Sequence, residues 1–377
     1  MKEGWTYKKL GEVCDTINGL WKGKKPPFVN IGVIRNANFT KDFTLRFDNV
    51  EYLDVEERQY VKRKLQKGDL IIEKSGGSEK QPVGRAVLFD KEDGDFSFSN
   101  FTSVLRIKDK NELLSEFLFI YLLYVYRRGD TLKMQKATTG IHNIEFDKYL
   151  NIDIPDIPLS EQHSIVARLD AAFAGIDALK ANAERQLAEA RALFNRALTE
   201  EMTPKEGWEE RPFEGCINKI PKQKQVKSKD YKTYGSFPIV SQEKDLICGY
   251  WDDESYLYKH DKPIIIFGDH TKEIKYIDFD FVVGADGTQL LSPKDDINTR
   301  FFYFALLNTH IRTLEYARHF KLLKEKMFFI PPINVQLSIV ARLDALSANI
   351  KKLEEVQRKT LAECDALKQA MLREVFE

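Results

Sequence analysis

The chain of 377 residues lacks the features that mark secreted, membrane or zinc-binding proteins. Its cysteines are widely separated and form no CxxC pair, which predicts buried free thiols and neither a zinc site nor a disulfide framework: Cys14, Cys216, Cys248 and Cys364. No apolar run reaches the roughly 18 residues of a membrane helix, and the first residues, MKEGWTYKKLGEV, lack the apolar core of a signal peptide. We therefore expect a cytoplasmic protein with no membrane partner.

An excess of charge of either sign is also missing, because 58 lysines and arginines balance 58 aspartates and glutamates. The balance removes the global signature of a nucleic-acid-binding protein, although local patches set the field at a binding surface. The length predicts two or three domains, and 43% apolar with 31% charged residues is typical of a soluble globular protein.

Motifs of catalysis are missing as well. The chain has no G-x-x-x-x-G-K-[ST] loop for ATP, no G-x-G-x-x-G turn, and no Asn/Asp-Pro-Pro-Tyr/Phe tetrapeptide of adenine methyltransferases. Asp269, Glu273 and Lys275 form D-x3-E-x-K, a faint likeness to metal-dependent nucleases. Asp269 lies closer to Glu273 than such sites generally allow, and the first half has no counterpart. We expect no catalytic residue and no metal site.

What the chain does contain is a long internal repeat. The octet SIVARLDA occurs at residues 164–171 and 338–345, and the flanking stretches align without a gap, so that Gln162 meets Gln336. Both stretches lack an internal proline and predict a long helix that opens with a capping residue, Ser160 or Asn334. Alternating four- and three-residue spacing predicts a coiled-coil seam: Ala172, Ile176, Leu179, Ala183, Gln186, Ala190, Leu193 and Ala197, with Leu346, Ile350, Leu353, Gln357, Thr360, Cys364, Leu367 and Met371 in the second copy.

The repeat includes the globular parts. Residues 2–5 (KEGW) return as residues 205–208, short apolar strands separated by Gly/Asp turns follow in both halves, and an apolar-aromatic helix begins at Asn111 and again at Asn298. We predict domains at 1–156 and 203–329 and connector helices at 157–202 and 330–377. The fold class is α+β: two tandem mixed α/β domains are joined by two long helices that form an antiparallel coiled coil with internal pseudo-twofold symmetry.

These motifs resemble the specificity subunit of Type I restriction-modification systems over essentially the whole chain. The likeness rests on the helix start Pro158-Leu159-x-Glu161-Gln162-x-x-Ile165-Val166, on GDLIIEKSGG, and on KPIIIFGDHTKEIKYIDFDFVVGADGTQLL. The second copy departs at Val335, where the family usually has Glu, and lacks a counterpart of the stretch TTGI at residues 138–141.

The resemblance implies a non-catalytic subunit. Each target-recognition domain would read one half of a bipartite site in double-stranded DNA, while the helices set the spacing and dock two methyltransferase subunits. Restriction/translocase subunits would join them. The chain itself would hold no cofactor, with S-adenosylmethionine, ATP and Mg²⁺ on the partners. The alternatives are a tandem-repeat coiled-coil scaffold that spaces two protein-binding domains, and a hydrolase in which one domain is catalytic.

A domain that reads DNA needs cations for phosphates and bidentate side chains for base edges. In the first domain the candidates surround a Gly-rich loop and a later basic stretch: Lys74, Ser75, Gln81, Arg85, Lys133, Lys136, Thr138, Thr139 and His142. In the second domain they are Lys222, Lys224, His270, Thr271, Lys272, Arg318, His319 and Lys321. Ordinary polar loops are the alternative interpretation. Arg168 and Arg342 of the repeated octet are candidates for contact with a partner subunit, or for local ion pairs on the helix.

Overall fold

The computed structural model describes residues 2–21, 23, 25–78, 81–138, 141–311 and 318–377. The chain divides into two units. The first unit is Met1–Asn182 with Lys359–Glu377, and the second unit is Ala183–Arg358. Among the helices described, none combines the length and apolarity that crossing a membrane requires.

The first unit is built around a four-stranded antiparallel sheet, β2-β9-β5-β7, whose strand β5 (sequence LIIE) is buried throughout. Smaller sheets β4-β3-β8, β10-β11-β6 and β1-β12 surround it. The strands are β1 (Thr6–Lys9), β2 (Cys14–Asn18), β3 (Phe28–Ile34), β4 (Glu51–Glu56), β5 (Leu70–Glu73), β6 (Ser75–Gly77), β7 (Ala86–Leu88), β8 (Phe96–Phe98), β9 (Thr102–Ile107), β10 (Gln135–Thr138), β11 (Ile141–Ile144) and β12 (Asp153–Asp156). The helices are α1 (Leu10–Val13), α2 (Glu57–Arg63), α3 (Ser115–Arg127), α4 (Phe146–Leu150) and the start of α5 (Leu159–Glu201).

The second unit repeats this plan. Its four-stranded sheet β14-β22-β19-β20 has the connectivity of β2-β9-β5-β7, and the pair β13-β23 corresponds to β1-β12. The strands are β13 (Glu209–Pro212), β14 (Ile217–Asn218), β15 (Gln225–Lys227), β16 (Phe237–Val240), β17 (Gly249–Trp251), β18 (Leu257–Tyr258), β19 (Ile264–Gly268), β20 (Ile274–Ile277), β21 (Phe281–Ala285), β22 (Thr288–Pro293) and β23 (Met327–Ile330). The helices are α6 (Phe213–Cys216), α7 (Thr299–Leu307), α8 (His319–Lys324) and α9 (Ile333–Phe376).

The long helices pair antiparallel within each unit. In the first unit Lys180 Nζ lies 3.1 Å from Asp365 Oδ1, and Lys368 Nζ lies 2.5 Å from Asp177 Oδ1. In the second unit Arg191 Nη2 lies 2.8 Å from Glu354 Oε1. The predicted antiparallel pairing of two long helices is therefore present in each unit.

The predicted seam is confirmed on α9, where seven of its eight positions are buried or half-buried, but on α5 only five of its eight positions are. Leu179, Leu193 and Leu367 are exposed by 57%, 52% and 50%. A stripe of buried or half-buried residues follows α5 in alternating three- and four-residue steps: Phe173, Ile176, Lys180, Ala183, Leu187, Ala190, Phe194 and Ala197. On α5 the predicted and observed stripes share Ile176, Ala183, Ala190 and Ala197 but take the four- and three-residue steps in opposite order. The bulky Phe173, Leu187 and Phe194 decide which order is buried.

One buried glutamine fastens the start of each long helix to its unit. Gln162 Nε2 donates to the carbonyls of Glu112 (2.8 Å) and Ile157 (2.9 Å), and its Oε1 accepts from the Leu114 amide at 2.9 Å. Gln336 makes the same three bonds in the second unit, to Asp296 O (3.0 Å), Pro331 O (2.8 Å) and Asn298 N (2.7 Å). The repeated glutamine therefore joins the helix to the segment that leads into α3 or α7.

The predicted capping residues are corrected by this geometry. Helices α5 and α9 begin at Leu159 and Ile333, and the amides of the first turn bond the carbonyls of Pro158 and Pro332. Ser160 and Asn334 therefore lie inside the first turn. Pro158 and Pro332 stand at the N-cap positions, and because a proline side chain has no hydrogen-bond acceptor, both helices begin without a cap from that residue.

The free cysteines follow the repeat. Cys14 and Cys216 are buried at corresponding places after α1 and in α6, and burial raises their thiol pKa values to about 12 and about 11. Cys364 is buried in α9. Cys248 is only half-buried, so the prediction of buried thiols is wrong for this residue.

The C-terminal end of α9 completes the core of the first unit. The Phe376 side chain is 3% exposed, and its ring lies 5.1 Å from Tyr121 and 5.2 Å from Tyr124, centre to centre. Phe117 and Trp5 close the cluster at 6.0 Å and 6.3 Å. In the second unit, Leu198 and Met202 at the end of α5 belong to the corresponding core. Each core thus takes side chains from the start of one long helix and the end of the other.

Candidate nucleic-acid interface

Two candidates of the first unit, Ser75 and Lys136, meet on the small sheet β10-β11-β6. The register places Asn143 opposite both Ser75 and Lys136, so these three side chains share one face. Ser75 Oγ donates to Asn143 Oδ1, and the Lys136 side chain is exposed. Two candidate stretches that lie about sixty residues apart in sequence therefore form one polar surface.

The residue before β6 extends this surface. Lys74 Nζ lies 3.3 Å from Asn18 Oδ1 at the end of β2, and burial lowers the pKa of this half-buried lysine. The amides of Lys74 and Ser75 both donate to the carbonyl of Phe101, at 2.9 and 3.1 Å. The Phe101 ring is 48% exposed beside these polar groups. This turn therefore brings the Asn18 side-chain amide, the Lys74 ammonium and the Phe101 ring close together.

Other candidates of the first unit are buried or paired inside the unit, or fall outside the described residues. Arg85 is 8% exposed, and its guanidinium makes two hydrogen bonds to Glu73 (2.7 and 3.1 Å), so it is paired inside the unit and is not available on the surface. Gln81, with its amide oxygen toward Arg85, accepts from Nη2 at 2.8 Å. His142 shares a face with buried Ile144, and its Nδ1 is buried without a partner among the described residues.

Lys133 is exposed beside a cavity of about 320 Å³ that Tyr7 and Arg128 also line. The backbone of Thr138 ends β10, and Thr139 falls outside the described residues. These three positions remain predictions.

In the second unit, the loop after β19 and the start of α8 are joined through Asp269. Its backbone carbonyl accepts from the His319 amide (2.9 Å) and lies 3.0 Å from His319 Nδ1, while its carboxylate accepts from the Phe320 amide at 2.8 Å. Its own amide donates to Gly287 at 2.8 Å. His319 is only 4% exposed, so it is a positioning residue and the prediction of direct DNA contact is wrong for it.

Around this junction the structure gathers several other candidates. His270 is exposed, and its amide donates to Gln242 Oε1 at 3.0 Å. Thr271 Oγ1 donates to the Gln242 carbonyl at 2.6 Å. Lys272 is half-buried, while Arg318 and Lys321 are exposed at the start of α8 and within it. Two stretches that are distant in sequence thus form one surface here too.

Lys222 and Lys224 belong to a separate part of the second unit. Lys222 lines a polar cavity of about 310 Å³ together with Gln225, Gly287 and Gln289. Lys224 Nζ lies 3.0 Å from Ser255 Oγ and 5.1 Å from the centre of the Tyr256 ring. Because Gly287 borders both this cavity and the Asp269 junction, the two groups of candidates flank one turn.

The nuclease-like motif is dispersed. The Asp269 carboxylate caps α8, whereas Lys275 is 6% exposed and donates to the carbonyls of Ser241 (2.8 Å) and Asp245. Burial lowers the pKa of Lys275. In the part of the chain that the structure describes, no three His, Cys, Asp or Glu side chains converge to hold a metal ion.

The two repeated arginines differ in their surroundings. Arg342 forms a bidentate pair with Glu201 of α5, with both N–O distances 2.6 Å, and not an ion pair along its own helix. The residue of α9 at the place corresponding to Glu201 is Val375. The Arg168 side chain is exposed and makes no hydrogen bond or ion pair with any described residue. Of the two, Arg168 therefore has the guanidinium available for a partner.

The Arg342–Glu201 pair predicts a pH effect on stability. Hydrogen bonding to Arg342 lowers the pKa of Glu201 below its ordinary value of 4.5, so the pair stabilises the fold above that pH and is lost as the pH falls through the lowered value. We expect the stability advantage of the wild type over Glu201→Gln to shrink between pH 5 and pH 3, measured by urea unfolding. An advantage that stays constant over this range would contradict the assignment.

The sequence did not single out Asn18, Asn143, Gln242 or Phe101. Asparagine and glutamine are common in loops, and only the strand register and the backbone bonds of the turns bring these residues beside the basic candidates. The segment Asn100-Phe101-Thr102 leads into strand β9 as Asp286-Gly287-Thr288 leads into strand β22. This correspondence is the sequence signal that could have located the turn in the first unit.

Comparison with known proteins agrees with this duplicated architecture. The model of the type I restriction modification DNA specificity domain matches residues 2–189 and again residues 205–363. The type I restriction enzyme EcoR124I/EcoR124II specificity subunit of Escherichia coli is 35% identical over 86 residues, so the match spans 22% of this chain and 21% of that relative.

Two solved structures share the fold over 100% of this chain. One, from work on complex assembly and conformational transition of the type I R-M system, has a TM-score of 0.76 at 19% identity and is covered to 98%. The other, the HsdS subunit from Thermoanaerobacter tengcongensis, has a TM-score of 0.52 at 19% identity and is covered to 97%. The duplicated domain, with the matched family model covering most of the chain, leads to one conclusion: this protein belongs to the family of type I restriction-modification DNA specificity domains.

Proposed function

We propose that this chain is the DNA-specificity subunit of a Type I restriction-modification complex and reads a gapped site in double-stranded DNA, one half with each unit. The observation that carries the proposal is the duplicated turn at Lys74 and Asp269. In each unit it gathers cations, hydroxyls and amides from two distant stretches of sequence. Such groups satisfy both needs of DNA readout, phosphate contact and base-edge recognition.

Partners would supply the chemistry. Two methyltransferase subunits would dock on the long helices and bind S-adenosylmethionine, and restriction/translocase subunits would bring ATP and Mg²⁺, all in the cytoplasm. Exposed Arg168 supports a contact of this kind on α5, because it has no internal carboxylate partner among the described residues. The scaffold alternative is less favoured, because it gives no reason for basic and amide side chains to gather at the same turn in both units.

A salt titration with the full chain tests the proposal. If several phosphates are contacted, the logarithm of affinity for duplex DNA should fall linearly with the logarithm of salt concentration. Lys136→Ala should reduce the slope by about 0.9 and weaken binding to all sequences alike. Lys352→Ala, an exposed lysine of α9, is the matched control and should leave the slope unchanged.

The result separates the alternatives. A protein-binding scaffold would show no preference among duplexes drawn from a random library. Binding to duplex DNA without selection of any gapped motif would also contradict the proposal.

A further inference from the structure

The turns at Phe101 and Gly287 occupy corresponding places in the two units. Lys74 donates its amide to Phe101 O at 2.9 Å, and Asp269 donates its amide to Gly287 O at 2.8 Å. The carbonyls of Lys74 and Asp269 then accept from Ile144 (2.8 Å) and His319 (2.9 Å). Two matching backbone bonds define the position independently of the side chains. The side chain at this position is a benzyl group in the first unit and a hydrogen atom in the second.

The backbone that carries Phe101 is fixed by hydrogen bonds, and its side chain is exposed. Its carbonyl accepts from two amides, and the Thr102 hydroxyl and amide both bond Ser99 O, at 2.8 and 3.0 Å. The ring is nevertheless 48% exposed, while Phe98 three residues earlier is fully buried. A single exposed apolar side chain is ordinary. The backbone that carries this one is fixed by hydrogen bonds, so little backbone freedom is lost when another surface covers the ring.

The surroundings of the ring are suited to DNA. Lys74 and Ser75 come directly after strand β5, and their amides donate to the Phe101 carbonyl. Leu20 pairs with Ser99 two residues before Phe101, and the next residue, Trp21, is 67% exposed. An apolar projection bordered by an ammonium and a hydroxyl can enter a groove whose edges carry phosphates. The one apolar group that the bases present in the major groove is the C5-methyl group of thymine.

We propose that Phe101 is a specificity-determining residue of the first unit and that its ring packs on a thymine C5-methyl group in one half-site. The corresponding Gly287 (φ +79°) makes no such contact, so the second half-site is read by polar groups at this position. The inference rests on the proposed function and deepens it by naming one base and the atom that is read.

The test removes the methyl group from the DNA and the ring from the protein. The two half-sites are first obtained by selecting bound duplexes from a random library with the full wild-type chain. Each dT is then replaced singly by dU, which lacks the C5-methyl group, and affinity is measured by fluorescence anisotropy. At one or two positions of one half-site we expect about fourfold weaker binding, the effect of withdrawing one buried CH₂-sized group.

Phe101→Ala should abolish the dU penalty at those positions, and Phe101→Leu should retain part of it. Phe28→Ala is the matched control, because Phe28 is 46% exposed elsewhere in the same unit and its loss should leave the penalty intact. Circular dichroism identifies any variant that fails to fold, and Phe101→Leu then carries the test.

The outcomes distinguish the two ideas. A clear gapped motif with no dU penalty, or a penalty that persists in Phe101→Ala, overturns the role of Phe101 and leaves the proposed function standing. Failure of the wild type to select any motif overturns both.

Discussion

Replacing Phe376 with alanine should lower the free energy of unfolding of the first unit by about 3–5 kcal/mol, as expected for a large aromatic side chain removed from a packed core. The ring is 3% exposed and contacts four aromatic rings, three of them in α3 and one near the start of the chain. Each of these contacts joins α9 to a segment more than 250 residues away. The substitution would therefore weaken the helix end and the core together.

Denaturant unfolding, followed by circular dichroism and by tryptophan fluorescence, would measure this loss. Leu367→Ala is the matched control, because Leu367 lies nine residues earlier on the same helix and is 50% exposed. It should cost less than about 1 kcal/mol. Phe376→Leu should recover most of the difference, because it keeps apolar volume in the site. Equal effects of Phe376→Ala and Leu367→Ala would show that the aromatic cluster does not hold this unit together.

Removal of either repeated glutamine side chain is expected to have the second large effect, again about 3–5 kcal/mol. Gln162→Ala leaves one backbone amide and two backbone carbonyls without their partner in a buried place, and each unsatisfied group costs about 1–3 kcal/mol. Gln336→Ala does the same in the second unit. The two variants should therefore destabilise different units by similar amounts.

Gln186→Ala is the control for this prediction. Gln186 lies on α5 as well, is exposed, and makes a single bond of 2.8 Å with Gln357. Its loss should cost about 1 kcal/mol or less. Urea unfolding of the three variants gives the comparison. If Gln162→Ala and Gln186→Ala proved equally mild, the three bonds of Gln162 would not be what fastens the helix.

The sequence predicts those parts of the fold that depend on local pattern and on repetition. Helices α5 and α9, the two aromatic helices and the strand plan follow from periodicity, from turn residues and from the repeated octet. The buried stripe of α5 could not be predicted fully from local pattern. Alanines at positions 183 and 190 fit either order of steps, and burial of Phe173 and Phe194 depends on the partner helix.

The candidate interface could be predicted less well, because it depends on pairings between distant strands. An arginine that follows a Gly-rich loop has the composition of a DNA contact, yet Glu73 on the neighbouring strand binds Arg85 inside the unit. His319 looks like a surface residue in a basic stretch, but Asp269 draws it inward. In the other direction, strand register brings Asn143 to the surface beside Lys136.

The ion pairs between the long helices have a consequence for the choice of helix partner. By the repeat, Lys180 of α5 corresponds to Glu354 of α9, and Arg191 corresponds to Asp365. The observed pairs, Lys180 with Asp365 and Arg191 with Glu354, are therefore corresponding contacts with the signs reversed. If α5 met a second copy of itself in the same register, Lys180 would face Arg191. If α9 did so, Glu354 would face Asp365.

Both of these pairings of identical helices would bring like charges together, whereas the pairing of α5 with α9 brings opposite charges together. Each pair is partly exposed and contributes little to stability, so its effect is on discrimination rather than strength. The two helices have kept nearly the same sequence at their starts while acquiring opposite charges farther along. In this way each helix favours the other one of its own chain over a copy of itself.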